Sequence, residues 1–222
     1  KAAIAMENSD LFQGLKRSNL EITHAYDAVI ERWTYSLEQR EHEMIGHGKC
    51  TSELTVHLAR VMEISDEELV HIRRGALLHD IGTVVVPEAV LNKSGNLTED
   101  EQKMIQQHPI AAQKLMQRID LLAPAMDIPY YHHERWDGSG YPQGLKGEQI
   151  PLPARIFSLV DVWVALTSDR SYRKKMAQDE AIAYIRQNSG ILFDPDVVKV
   201  FISEIPRILD IMDKVEQAIL PL

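Results

Sequence analysis

The residues of this chain best placed to do chemistry are histidines and acids set where apolar segments end. His79-Asp80 follows Ala76-Leu77-Leu78 and precedes Ile81-Gly82, so an ionisable pair closes a core helix. Burying such a pair is costly unless it is satisfied, and a metal ion is one way to satisfy it. Asp161 stands inside the apolar run Ile156-Phe157-Ser158-Leu159-Val160-Asp161-Val162-Trp163; taken alone, it could equally cap a neighbouring helix. His47 is flanked by Gly46 and Gly48, His108 precedes Pro109, and His132-His133 opens the string HHERWDGSGYP. Adjacent side chains on a helix diverge by about a hundred degrees, so both members of that pair reach one ion only from a terminal or distorted turn. His47, His79, Asp80, His108, His132, His133 and Asp161 form a mixed imidazole and carboxylate set, which suits Fe, Mn or Zn and not Ca or Mg. Five histidines and two aspartates exceed what one ion needs, so at least two metals are expected. Two ions roughly 3.5–4 Å apart, bridged by a carboxylate and a hydroxide, suit in-line attack on a phosphoester. His24, His42, His57 and His71 lie among charged helical residues and read as exposed or locally hydrogen-bonded.

Helices must hold these side chains. Residues 1 to about 44 contain no Pro and a single Gly, Gly14, and predict one long helix. Leu15, Ile22 and Val29 recur at sevens, with Tyr26, Ile30, Trp33 and Leu37 beside them. That stripe fits either a parallel two-stranded coil with a second copy or packing against the chain's own body. Further helices are expected near 50–63, after the capping box Ser65/Glu68, after Pro87, after the capping box Thr98/Glu101 towards His108, and over about 110–118 and 124–134. Residues 137–152, rich in Gly and Pro, form the one long loop, and Pro153 opens a helix through Asp161 to about Ser168. Helices near 178–189 and 195–204 precede a C-terminal tail, and Thr83–Val86 is too short to make a sheet. The fold class is all-α, a multi-helix bundle with a long N-terminal helix. With 222 residues, 45% hydrophobic and 26% charged, the chain suits one large domain or a domain with an appendage. A net charge of −9 argues against binding a nucleic-acid polymer, and no apolar run approaches the roughly 18–20 residues of a membrane span. The single cysteine, Cys50, fits a reducing cytoplasm.

The ordered motifs LLHDIG, LNKSG, LTEDE, QHP, HHERWDGSGYPQGLKGEQIP, ARIFSLVDVW and SDRSYRK cover about residues 38 to 205. They closely resemble the HD-GYP family of cyclic di-GMP phosphodiesterases, within the HD phosphohydrolase superfamily. The resemblance implies an all-α HD-type bundle over 38–222. It also implies two or three transition-metal ions, commonly Fe or Mn, and hydrolysis of cyclic di-GMP to pGpG and often on to GMP through a metal-bridging hydroxide. His47, His79, Asp80 and Asp161 would be the HD-type ligands, with His79 and Asp80 at the catalytic centre and Asp80 bridging. His108, His132 and His133 would hold the second ion. Glu43, four residues before His47, matches the extra ligand of the subgroup with a three-metal centre. Arg170 and Arg173 match positions that hold substrate phosphate, a task suited to the guanidinium fork. Thr83 stands where the family usually has a phosphate-binding Lys, offering a hydroxyl and no charge. A weak cyclic-dinucleotide receptor, or a phosphodiesterase for another cyclic dinucleotide, is therefore the alternative expectation. Residues 1–18 resemble the closing helix of a GAF sensory domain, making residues 1–37 a signalling helix from an upstream sensor and a route to a homodimer.

Overall fold

Helix is the rule throughout this computed structural model, which describes residues 2–41, 45–169 and 174–219. The expected N-terminal helix forms as α1 (Ala2–Arg40). Its stripe divides between the two readings. Ile30, Thr34, Leu37 and Glu38 are buried against the body, whereas Leu15, Ile22, Tyr26, Val29 and Trp33 remain exposed. Asp27 fastens the helix midway by accepting from the buried guanidinium of Arg74 at 2.9 Å.

Then follow α2 (His47–Val61), α3 (Asp66–Leu77), α4 (Glu88–Leu91), α5 (Glu99–Ile105), α6 (His108–Met116) and α7 (Asp127–Tyr131). The chain closes with α8 (Leu152–Thr167), α9 (Gln178–Gln187), α10 (Pro195–Ser203) and α11 (Ile205–Ile219). The described residues include no strand beyond an isolated bridge between Ser189 and Phe193, so the all-α expectation is borne out. Start signals act as expected: Thr98 and Glu101 make a complete capping box, and Ser65 accepts from the Glu68 amide.

The core gathers around α8, whose Phe157, Val160 and Trp163 are fully buried among Leu54 and Leu58 of α2, Phe201 of α10 and Ile208 of α11. Trp163 meets Phe201 edge-on, ring centroids 5.2 Å apart. Burying each such side chain contributes about 1.5–3 kcal/mol, which makes α8 a rigid base for Asp161. One expectation needs correcting: residues after 204 form helix α11 and not a tail. Pro206 is tolerated in its first turn, while Ile205, Ile208, Met212 and Val215 recur at helical spacing and close the core against α2.

Candidate metal centre

Each candidate side chain sits at a helix end or on the rigid α8. His47 is the first residue of α2, and His79-Asp80 occupies the turn after α3. His108 opens α6, while His132 closes α7 with His133 one residue beyond. Close backbone approach brings these ends together. A Cβ at Gly82 would lie 1.9 Å from the His108 carbonyl oxygen and 2.7 Å from the Ala112 nitrogen, so only glycine lets the segment after Asp80 rest on α6. A Cβ at Gly140 would lie 2.5 Å from the His133 carbonyl oxygen and 2.4 Å from the Arg135 nitrogen, so glycine also seats the loop against the histidine pair.

Two groups of ligand-type atoms result. Asp80, His108, His132 and His133 form one; His47, His79 and Asp161 form the other; within each, the atoms lie within 4.8 Å of one another. Asp80 joins them, with Oδ2 2.9 Å from His79 Nε2 and Oδ1 3.3 Å and 3.6 Å from the Nε2 atoms of His108 and His132. His47 Nε2 lies 3.1 Å from Asp161 Oδ1.

The outer hydrogen bonds decide which imidazole nitrogen faces inward. The Nδ1 atoms of His79, His108 and His132 lie 2.9, 2.7 and 3.0 Å from the carbonyl oxygens of Ala76, Ile105 and Ile128. A carbonyl only accepts, so each Nδ1 carries the proton and each Nε2 turns a lone pair towards the cluster, the tautomer that ligation requires. His108 Nε2 and His132 Nε2 stand 3.4 Å apart, an approach of lone pairs that a shared cation relieves.

Charge states agree with that fit. Burial pushes His108 down to about 4 and holds His133 well below the usual imidazole range, with the neighbouring imidazoles adding to the effect in both. Burial works against the charge of Asp80, yet the surrounding imidazoles in their protonated form, His79 foremost, hold it well below the usual carboxylate range, a role that a bound cation would take over beside neutral imidazoles. Asp161 is likewise opposed by burial, but the hydrogen bond and field of His47 bring it to about 2. Neutral imidazole and ionised carboxylate are the forms that bind metal. These clusters can therefore hold metal ions.

Two carboxylates that sequence reasoning did not single out position the cluster. Buried Glu38 accepts from the amides on either side of His47, Gly46 N–H at 2.9 Å and Gly48 N–H at 2.8 Å. Buried Glu134 accepts from Gln143, Gly144 and Leu145 at 2.7, 3.1 and 3.0 Å, pinning the loop whose Tyr141 stacks on His133 at 4.7 Å. Glu134 lies within the HHE string, where the histidines drew the attention; Glu38 looks like any helical acid, and no local signal marks it.

Thr83 is buried, its hydroxyl 2.5 Å from a Glu41 carboxylate oxygen and 2.8 Å from the Asp80 carbonyl. Arg40 donates to the Thr83 carbonyl at 2.7 Å, and Thr34 to that of Leu77 at 2.8 Å. The end of α1 thus grips both shoulders of the cluster. Glu43, Arg170 and Arg173 lie outside the described residues. Over the cluster opens a cavity of about 620 Å³, lined among others by Asp161, His132, His133, Tyr141, Arg135 and Tyr184. That volume suits a ligand of drug size or somewhat larger.

Helix ends converging on one His-Asp turn define a class of helical metal-binding domain, and the comparisons place the chain within it. The chain belongs to the HD domain family, whose match covers residues 33–197. The family implies divalent-metal binding. The chain is 38% identical over 191 residues to the cyclic di-GMP phosphodiesterase response regulator RpfG of Xanthomonas campestris, covering 85% of this chain and 50% of that protein. It is 32% identical over 181 residues to the 3'3'-cGAMP-specific phosphodiesterase 3 of Vibrio cholerae, covering 81% of this chain and 39% of that protein. In fold it is similar to the crystal structure of a cyclic GMP-AMP-specific phosphodiesterase of Vibrio cholerae. The TM-score there is 0.57 at 27% identity, covering 87% of this chain and 55% of that one. The expected kinship with HD-GYP proteins is borne out by these relatives. The chain spans about half or less of the length of these curated relatives. No described helix is long and apolar enough to cross a membrane.

Proposed function

We propose that this chain is a metal-dependent phosphodiesterase that hydrolyses a cyclic dinucleotide, with cyclic di-GMP cut to pGpG and, where a second cut follows, to GMP. The carrying observation is the pair of imidazole–carboxylate groups joined through the two oxygens of Asp80. His47, His79 and Asp161 would hold one ion and His108, His132 and His133 the other, with Asp80 shared. Glu43 would add a ligand for a third ion. Fe or Mn suits the mixed nitrogen and oxygen donors. When bound, such ions supply Lewis acidity towards phosphoryl oxygens and an activated water.

The protein's own part is positioning. The Nδ1 hydrogen bonds of His79, His108 and His132 fix ring orientation, so little reorganisation is needed when charge builds at phosphorus. Tyr141 stacks on His133 at the cavity wall and holds its ring in place. Arg135 brings positive charge to the cavity wall, and Arg170 and Arg173 would hold the substrate phosphates. Residues 1–37 would lead from a GAF-like sensor into the catalytic domain, and the setting would be cytoplasmic.

Thr83 supports a second reading, a slow or inactive receptor for the same ligand. A hydroxyl bound to Glu41 replaces an ammonium, and a lost charge-assisted contact costs on the order of 1.5–3 kcal/mol. A third, another cyclic dinucleotide as substrate, is supported by the similarity to a 3'3'-cGAMP-specific enzyme. Turnover of a panel of cyclic dinucleotides by protein reconstituted anaerobically with Fe or Mn separates the three. Hydrolysis of cyclic di-GMP ahead of the others supports the first reading. Binding without turnover, rescued by Thr83→Lys, supports the second, and preference for a mixed dinucleotide the third. One metal ion or none per chain after reconstitution would overturn the binuclear centre.

A further inference from the structure

The outer face of α1 is unusual for a helix of this length. Residues 10–22 are exposed throughout, so this stretch makes little contact with the body. A helical stretch lacking tertiary support is marginal in water. Yet Phe12, Leu15, Ile22, Tyr26, Val29 and Trp33 stand 45% to 67% exposed on it. With Asn19 and Ser36 they step along the helix by alternating threes and fours, from 12 through 15, 19, 22, 26, 29 and 33 to 36. That is the a/d repeat of a two-stranded coil. Ile30 and Leu37, each one position past a d residue, turn to the chain's own body instead, so above Trp33 the seam is separate from the intramolecular contact. At its lower end the seam opens into an apolar cavity of about 450 Å³ between Trp33, Ser36, Val84, Leu115 and Ile119.

We propose that the Phe12–Ser36 face of α1 is a parallel coiled-coil seam and that its partner is a second copy of this chain. A repeat of this kind is complementary to itself: in a parallel copy each a or d side chain meets its own counterpart at the same level. Asn19, the one amide at an a position, then faces the copy's Asn19, which favours the parallel, in-register arrangement. The flanking positions nearest it are Lys16, Ser18, Thr23 and Ala25, small or singly charged, so no like-charge ladder opposes close approach. Because the bodies attach at Ile30 and Leu37, beside the seam, a twofold axis along the coil places them on opposite sides. Val84, Leu115 and Ile119 then extend the buried patch beyond the helix itself.

This deepens the reading of α1 as a signalling connector and rests on it, but its test is independent of turnover. Sedimentation equilibrium of the whole chain at micromolar concentration should return a dimer, and Ile22→Glu/Val29→Glu should halve the mass while helical content and metal stoichiometry persist. Under mild oxidation Leu15→Cys should form a covalent dimer, since parallel pairing sets that position against itself and antiparallel pairing sets it far away. A monomeric parent chain, or a dimer that survives the double substitution, would overturn the seam. A dimer without the Leu15→Cys crosslink would overturn its parallel register. Loss of cyclic-dinucleotide turnover with dimerisation intact would count against the proposed function and leave the seam standing.

Discussion

Glu38 is the α1 residue that reaches the turn carrying His47, and its removal tests the claim that α1 positions that ligand. Its two carboxylate oxygens accept from the amides of Gly46 and Gly48, at 2.9 and 2.8 Å, in a buried setting. Glu38→Ala leaves both donors without that acceptor, at about 1–3 kcal/mol each. The two losses share one turn and are not additive, so a net destabilisation of about 3–4 kcal/mol is expected. Part of this must fall on His47, because the released turn carries its backbone. If about 1.4–2 kcal/mol of the loss is felt there, metal affinity at the His47/His79/Asp161 group weakens roughly 10- to 30-fold. The His108/His132 group has its own anchors at Ile105 and Ile128 and should be affected less. Urea unfolding of metal-free protein gives the first quantity, and calorimetric metal titration resolves the second as two unequal sites. Glu38→Gln keeps one oxygen acceptor but sets its NH2 against the other amide, so it should fall between the two. Stability within about 0.5 kcal/mol of the parent, with both metal sites unchanged, would refute the claim that α1 positions His47.

Gly82→Ala drives a Cβ into the His108 carbonyl and the Ala112 nitrogen, both backbone, so it should destabilise by about 3 kcal/mol or more and abolish metal binding; thermal melts and elemental analysis check this. Asp80→Asn should weaken both metal sites, whereas Asp161→Asn should weaken only the one shared with His47, as read by metal content after dialysis. Chelation should lower the melting temperature, since a ligand at about 100 times its Kd stabilises by about 2.7 kcal/mol. The buried Cys50 thiol is pushed up to about 12 by burial, with Glu216 and Glu53 adding to it. It should resist a disulfide reagent at pH 8 in the native state and react fully in denaturant.

Much of this architecture is local and so was legible in residue order. Capping at Thr98, the apolar run around Asp161 and the glycines about His47 and His133 are each set by neighbours within a turn or two. The helical class and the candidate ligand residues follow from such signals. What residue order could not settle was which helix faces meet. The α1 stripe allowed both self-packing and pairing; only the folded body shows Ile30 and Leu37 inward with Leu15, Ile22 and Val29 outward, because those sets lie on adjacent faces of one helix. The division of ligands between two groups depends on the close backbone approach at Gly82, where a Cβ would lie 1.9 Å from the His108 carbonyl oxygen, a relation between segments 26 residues apart in order. Glu38 and Glu134 become legible only once the amides they serve have been brought to them. Residue order determined the chemistry this protein carries. Tertiary structure decided how that chemistry is oriented, since hydrogen-bond direction and side-chain facing are properties of distance in space and not along the chain.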